Sequence, residues 1–306
     1  MTTQAHEAFG RVGIWSSALH GSRADGTGGE AVAEAAAELE ELGYGTLWLG
    51  GSPSPGDAAA VLAATRTVSV ATGILSIWDH TAQEVAQQIG ALDAGARERF
   101  VLGLGVSHGP MVPQYAKPYS AMVAYLDALD AAAPPVGPGR RVLAALGPRM
   151  LELAAGRSAG AHPYLVTAEH TAQAREALGP GVLLAPELSV VLDTDLDRAR
   201  TTARNMLGMY LRLPNYTGNL MRLGFTGSDF EGGGSVRLLD DLFALGDAER
   251  VRARTREYHE AGADHVALQV LTAQEGGAGL PRAQWRELAG VFADDLRHHG
   301  ARRDGG

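Results

Sequence analysis

Three side chains are placed to move a proton: His108, Tyr164 and His80, in falling order of suitability. Each stands just past, or at the end of, an apolar β-rich run. Imidazole titrates nearest neutrality of all side chains, so it can give or take a proton beside a reacting group. The same strand-end positions hold Ser16, Ser17 and His20; Gly50, Gly51 and Ser52; Ser76, Trp78 and Asp79; Gly105, Val106 and Ser107; Gly147 and Pro148; Pro163; and Gln269 with Thr272. This set is aromatic and hydrogen-bonding, with few charges. It suits a planar, uncharged ring held by stacking and backbone contacts, and it suits a metal hydrolase poorly.

Other chemistries are excluded or weak. The chain has no cysteine, which rules out disulfides, thiolate metal sites and thiol catalysis. Histidines 80, 108, 162 and 170 show no tight metal-ligand spacing, so no metal is expected. The Gly-Thr-Gly-Gly run at 26–29 lacks the Lys-Ser/Thr of a nucleotide-binding loop and reads as a lid or turn. With 26 basic and 35 acidic residues the net charge is −9, which argues against nucleic acid or an anionic membrane as partner. No apolar run is long enough to span a bilayer. Residues 1–10 lack the basic start and apolar core of a signal peptide. The expected location is the cytoplasm, and the expected partner is a small-molecule substrate, with a homodimer as the alternative to a monomer.

The elements that must position these residues alternate. Apolar β-rich runs stand at 11–15, 45–49, 68–75, 99–104, 141–146, 160–166, 182–192 and 264–271. Between them lie amphipathic stretches. Val32, Ala36 and Leu39 mark a helix over 30–42, closed by Gly43. Thr81 and Glu84 form a capping box before Val85, Ile89 and Leu92. A helix from 120 stops at Pro134 and Pro135. Further helices are expected over about 148–155, 168–178 and 195–213, and from Pro281 through Trp285, Leu288, Phe292 and Leu296. Such alternation implies parallel strands with right-handed crossovers. Eight units predict a single (β/α)8 TIM barrel over 1–306, with added helices between strands seven and eight in 214–247. A doubly wound open sheet is the runner-up. The tail 301–306 is expected to fray. In a barrel of this kind the active site lies at the C-terminal strand ends.

The stretch 68–108, VSVATGILSIWDHTAQEVAQQIGALDAGARERFVLGLGVSH, resembles the third and fourth βα units of the luciferase-like superfamily. T-G-I-L at a strand end, followed one unit later by R-F-V-L-G-L-G-V, carries the likeness. Further matches lie at 41–51, 119–130, 140–167 and 261–271. Within the superfamily, ALGPRMLELAA, GAHPYLVT and LRLPNYTGNLMRLGF (211–225) resemble an actinobacterial branch of coenzyme F420-dependent oxidoreductases. The resemblance implies a flavin or deazaflavin ring over the end of strand three, backed by a bulge or a non-prolyl cis peptide at Gly73 and Ile74, with Ser76 and Trp78 beside it. It implies a ribityl and phosphate tail against Gly105, Val106, Ser107, Gly147 and Pro148, where a helix start favours negative charge. There is a departure as well. Several deazaflavin relatives carry Asp-His just after strand two, where this chain has Gly51-Ser52. His108 stands where some carry a glutamate. The sugar-phosphate substrates of those relatives are therefore not inherited.

Plainer readings stand beside these. Gly103 and Gly105 also serve strand–helix packing, and Trp78 a core. His108 also reads as a strand-end histidine bonded to a carbonyl, and His80 as a neighbour of the Thr81 cap. His162 alternates with apolar residues and reads as a satisfied structural histidine. His298 and His299 suit a helix C-terminus. Three functions compete: hydride transfer with coenzyme F420, an FMN-dependent monooxygenase, and a non-catalytic flavin-binding paralogue. The mouth of the barrel is expected to hold the largest pocket, lined by 73–78, 105–108 and 147–148.

Overall fold

The computed structural model describes residues 8–20, 29–273 and 279–300, the side chains of 297–300 excepted. The chain start over 1–7, the loop at 26–28 and the tail 301–306 lie outside the described residues, as do the side chains of His298 and His299.

The described strands are β1 (Val12–Ser16), β2 (Thr46–Gly50), β3 (Ser69–Gly73), β4 (Leu75–Ser76), β5 (Phe100–Gly105), β6 (Arg141–Leu143), β7 (Gly160–Ala161), β8 (Leu183–Leu184), β9 (Glu187–Leu192), β10 (Phe243–Gly246) and β11 (Val266–Val270). They form one sheet in the order β10-β9-β11-β1-β2-β3-β5-β6-β7-β8, with β4 also on β5. Every pairing is parallel. Only Ala185 and Pro186 separate β8 from β9 in the chain, yet the two stand near opposite ends of that order. The Ala185 amide bonds the Ala161 carbonyl at 2.9 Å, and the Ala267 amide bonds the Pro186 carbonyl at 2.9 Å. One segment thus meets β7 on one side and β11 on the other, so the sheet curls back on itself.

Several strands are shorter than their apolar runs. The run at 182–192 divides at Pro186, which has no amide for the ladder. The run at 160–166 keeps only its first two residues as strand, because Pro163 follows and Leu165 takes a left-handed φ of 55°. The helices expected from capping and period are present: Gly29–Glu41, Ala82–Ala91, Pro118–Ala131, Pro148–Arg157, Ala168–Leu178 and Leu196–Tyr210, here α1, α3, α5, α6, α7 and α8. Thr81 and Glu84 close the capping box that starts α3. Three helices add to those read from the pattern: α2 (Pro55–Ala64), α4 (Ala94–Arg99) and α11 (Ala248–Glu260). Helix α2 begins at a second capping box, Ser54 with Asp57, and has proline in its first turn. The 214–247 stretch holds α9 (Pro214–Arg222), α10 (Val236–Leu242) and the strand β10, which extends the free upper edge of β9. Helices α12 (Arg282–Val291) and α13 (Ala293–Gly300) close the described chain.

The interior of the curled sheet is aromatic. Trp48 is fully buried and stacks on His162 with centroids 4.0 Å apart and planes 8° apart. Its indole N–H donates to His265 Nε2 at 3.0 Å. That nitrogen must therefore accept, so His265 Nδ1 carries the proton and donates to the Gly10 carbonyl at 2.8 Å. His162 Nδ1 donates to the Ala185 carbonyl at 2.6 Å. The structural reading of His162 agrees with this packing, but the ring is satisfied only at Nδ1: Nε2 is buried without a partner.

Candidate active site

The site begins at a fault in the sheet. Ala71 pairs with Val101, and Leu75 with Leu104. Three residues, 72–74, thus oppose two, 102–103, which is a one-residue bulge. The Thr72 hydroxyl repairs the ladder: it donates to the Gly103 carbonyl and accepts the Gly103 amide, both at 2.8 Å. A Cβ at Gly103 would collide with the Thr72 carbonyl. The Gly73–Ile74 peptide is cis, as the resemblance implied. The Trp15 indole donates to the Gly73 carbonyl at 2.8 Å. Its ring fills the space a Cβ at Gly50 or Gly73 would need, and Ile74 fills that of Gly105. Around Gly147, by contrast, nothing lies within 4 Å of a would-be Cβ, and this residue caps the start of α6 ahead of Pro148.

The strand-end loops are tied to one another. The Ser76 amide donates to the Ser52 hydroxyl at 2.9 Å, and that hydroxyl donates to Asp79. Trp78 is half-buried against the core, and its indole donates to the Val106 carbonyl at 2.7 Å. It thus braces two loops while serving the core. Ser107, next in line, has a left-handed φ of 55°.

Above the bulge the mouth is an aromatic train. Trp15 lies 5.5 Å from Tyr164, Tyr164 5.5 Å from Tyr210, Tyr210 5.1 Å from Tyr216, and Tyr216 5.3 Å from His108, centroid to centroid. Tyr164 donates its hydroxyl proton to Gln269 Oε1 at 2.9 Å and accepts from Tyr210 at 3.4 Å. The fold therefore joins two of the predicted proton carriers, His108 and Tyr164, in one cluster through Tyr216. His80 stands apart: its carbonyl accepts the Tyr125 hydroxyl at 3.1 Å. Among the described residues no ring contact links it to either partner.

Burial sets the charge of this mouth. It lowers the pKa of His108 below the usual imidazole value, against the opposing effect of a bond with Asn215. It drives the Tyr164 and Tyr216 hydroxyls far up, with Tyr210 adding to both shifts. It also raises buried Glu187, on β9, to about 7. His108 Nδ1 and His20 Nε2 are buried without a partner. Neither of two cavities on the protein is lined by 73–78, 105–108 or 147–148. Cavities of about 370 Å³ and 120 Å³ open instead at Phe100, Val136 and Arg140, and at Thr167, Phe225 and Arg254. The first lies at the N-terminal strand ends.

Trp15, Tyr210, Tyr216, Glu187 and Ser189 were not among the residues read as functional. One signal lay in 210–216, where two tyrosines flank a proline that starts a new helix. Another was the lone carboxylate of LLAPELSVVL (183–192) in an otherwise apolar run. Among the described residues no group of three or more His, Asp or Glu could hold a metal ion. No helix there is long and apolar enough to cross a membrane.

Residues 11–141 match the family described as luciferase-like monooxygenase. No curated protein matches the chain significantly. Among solved structures, the fold is similar to that of a coenzyme F420-dependent secondary alcohol dehydrogenase bound to an F420–acetone adduct, with a TM-score of 0.69 and 13% identity over 93% of this chain and 98% of that one. The coenzyme F420-dependent tetrahydromethanopterin reductase of Methanopyrus kandleri gives a TM-score of 0.69 and 16% identity over 92% and 98% of the two chains. The oxygenating constituent of the Pseudomonas putida 3,6-diketocamphane monooxygenase, solved with FMN, gives 0.68 and 13% over 95% and 98%. At such identities the likeness is one of fold. The family match covers 11–141, and over the rest of the chain the similarity to luciferase-like enzymes is one of fold.

Proposed function

We propose that the chain is an oxidoreductase that moves a hydride between coenzyme F420 and a small uncharged organic substrate at the C-terminal mouth of the sheet. Counting 69–76 and 183–192 as one strand each, and β10 as an addition, gives eight barrel positions for this reading. The observation that carries it is the uncharged aromatic mouth above the strand-three bulge. A neutral ring and a neutral substrate can enter such a wall without the cost of stripping water from an unpaired charge.

The residues present fit the coenzyme. Gly73, Ile74, Ser76 and Trp78 would back its ring. Gly105, Val106 and Ser107 would follow the tail, and the open space at Gly147 and Pro148, before the amides of α6, suits an anionic group. When bound, the coenzyme supplies the hydride chemistry. His108, kept neutral by burial and unpartnered at Nδ1, would take or give the accompanying proton there. Tyr164 is the second candidate and His80 the third.

An FMN-dependent monooxygenase is the second reading, favoured by the family's description and by the FMN-bound relative in fold. A non-catalytic binding paralogue is the third, favoured by Trp15 and Ile74 filling the space beside Gly50, Gly73 and Gly105. Equilibrium titration of the purified protein with coenzyme F420 and with FMN, side by side, separates them. The leading reading expects coenzyme F420 to bind at least about tenfold tighter, a difference of about 1.4 kcal/mol. Tighter FMN binding favours the monooxygenase. Tight binding with no turnover on a panel of neutral substrates favours the paralogue, and binding of neither cofactor overturns all three.

A further inference from the structure

Glu187 is 1% exposed, points into the sheet and has no ion-pair partner among the described residues. Its place in the register explains where it sits. It pairs with Ala267, a member of the interior cluster that holds Trp15 and Trp48. Two residues on, Ser189 pairs with Gln269, the acceptor of the Tyr164 hydroxyl. Glu187 therefore lies one layer beneath the mouth.

Its bonds are unusual in what they enclose. The Glu187 amide donates to the Pro163 carbonyl at 2.9 Å. Glu187 Oε2 accepts the Leu165 amide at 3.1 Å. The two contacts grip the chain on either side of Tyr164, at the point where it leaves the sheet. Pro163 has no amide to offer, and Leu165 takes a left-handed φ of 55°, so sheet bonding cannot hold this turn by itself. Glu187 Oε1 accepts the Ser189 hydroxyl at 2.6 Å, which fixes the carboxylate's own rotamer.

We propose that Glu187 is a positioning residue: it clamps the 163–165 turn from inside the sheet and so sets the Tyr164 hydroxyl against Gln269 and Tyr210. A neutral carboxyl accepts the Leu165 amide more weakly than a carboxylate does. The clamp is therefore firmer in the ionised form. Burial brings the group's titration to about 7, so the Tyr164 setting should respond to pH near neutrality. The titratable groups whose charge acts on or with Glu187 are Tyr164, Tyr210, Tyr216 and Tyr258, and burial raises all four pKa values. None of these hydroxyls changes charge near pH 7; His108, joined to Tyr164 through Tyr216 and lowered by burial, is the other titratable group of the cluster, and Glu187→Gln leaves it in place.

This rests on Tyr164 being a mouth residue, but the test needs no cofactor. The protein is labelled with 3-fluorotyrosine, and the Tyr164 resonance is identified as the one missing from Tyr164→Phe. Its fluorine shift is followed from pH 5 to pH 9, about two units either side of the expected midpoint. The wild type should show a Tyr164 transition centred near neutrality. Glu187→Gln, which keeps an acceptor for Leu165 but cannot ionise, should fold cooperatively and lose that transition. Glu187→Ala should move or broaden the Tyr164 line at every pH. If Glu187→Ala fails to fold, the wild type and Glu187→Gln still decide. A Tyr164 line indifferent to pH in the wild type, or titrating alike in Glu187→Gln, overturns the proposal. Absence of cofactor binding would defeat the functional reading and leave this result untouched.

Discussion

On the N-terminal side of the curled sheet, Trp48, His162 and His265 stack and bond to one another and to the backbone carbonyls of Ala185 and Gly10. On the C-terminal side, Trp15, Tyr164, Tyr210, Tyr216 and His108 form a cluster of similar composition. The floor is built from strand residues and positions next to strands. The mouth is assembled from a strand, two strand-end loops and two helices of the 196–222 stretch. A histidine in each keeps a buried nitrogen without a partner, His162 at Nε2 in the floor and His108 at Nδ1 in the mouth. Aromatic and imidazole groups inside one sheet thus stand in two settings: packed by strands they hold the fold, and carried on loops and added helices they line the mouth where the proposed cofactor and substrate would meet.

The comparison breaks most visibly at Trp48. Trp48→Ala removes a fully buried indole and leaves His265 Nε2 without its donor. A loss of about 3–5 kcal/mol in unfolding free energy is expected, by urea denaturation. Tyr164→Phe at the mouth deletes one hydroxyl and should cost about 1 kcal/mol or less. Equal losses would mean that the mouth is as structural as the floor.

The floor was also the more legible part. Alternating strands and helices, the Thr81–Glu84 box and the structural role of His162 follow from period and capping, which are local. The bulge at Gly73–Ile74 came from resemblance to known relatives, since no local rule asks for an extra residue there. The mouth was read only in part. His108 and Tyr164 follow their strands directly, but Tyr216 reaches His108 across more than a hundred residues, through a helix that no strand count locates. Which side chains lie beside Gly73 and Gly105 is a tertiary matter that no local pattern gives, and in the fold they are Trp15 and Ile74. Helix α2 was missed although Ser54, Pro55 and Asp57 spell a helix start.

The next largest effect belongs to His108. Under the proposed function, His108→Ala should lower turnover by about 10²–10⁴-fold, the usual contribution of a positioned acid or base. Cofactor affinity should stay within a few-fold, because backbone amides and stacking hold the ring. Both constants must be measured on the same variant. A large loss of affinity with turnover spared at saturation would move His108 from proton carrier to tail contact. Unchanged values for both would remove it from the site.

The smallest expected effect sets floor against mouth within one measurement, the pH dependence of stability. Burial lowers His162 from 6.5 to about 4, so between those values the unfolded chain binds the extra proton and stability falls as the solution is acidified. Burial raises Glu187 from 4.5 to about 7, so over that range the folded chain binds the extra proton and stability falls as pH rises. The two windows overlap between 4.5 and 6.5, where the slopes are opposite in sign and each reaches about 1.4 kcal/mol per pH unit. His108, His170 and His259, also lowered by burial, add to the slope of His162. The wild type should therefore lose stability only gently across this window on acidification. Glu187→Gln removes the opposing slope and should lose stability more steeply, while His162→Phe, which keeps the stack on Trp48, should flatten the curve. Urea unfolding at several pH values in the window reads both slopes. Parallel profiles for Glu187→Gln and wild type would mean that the carboxyl beneath the mouth ionises as an ordinary surface group does, and that the two ends of the sheet do not differ in this respect.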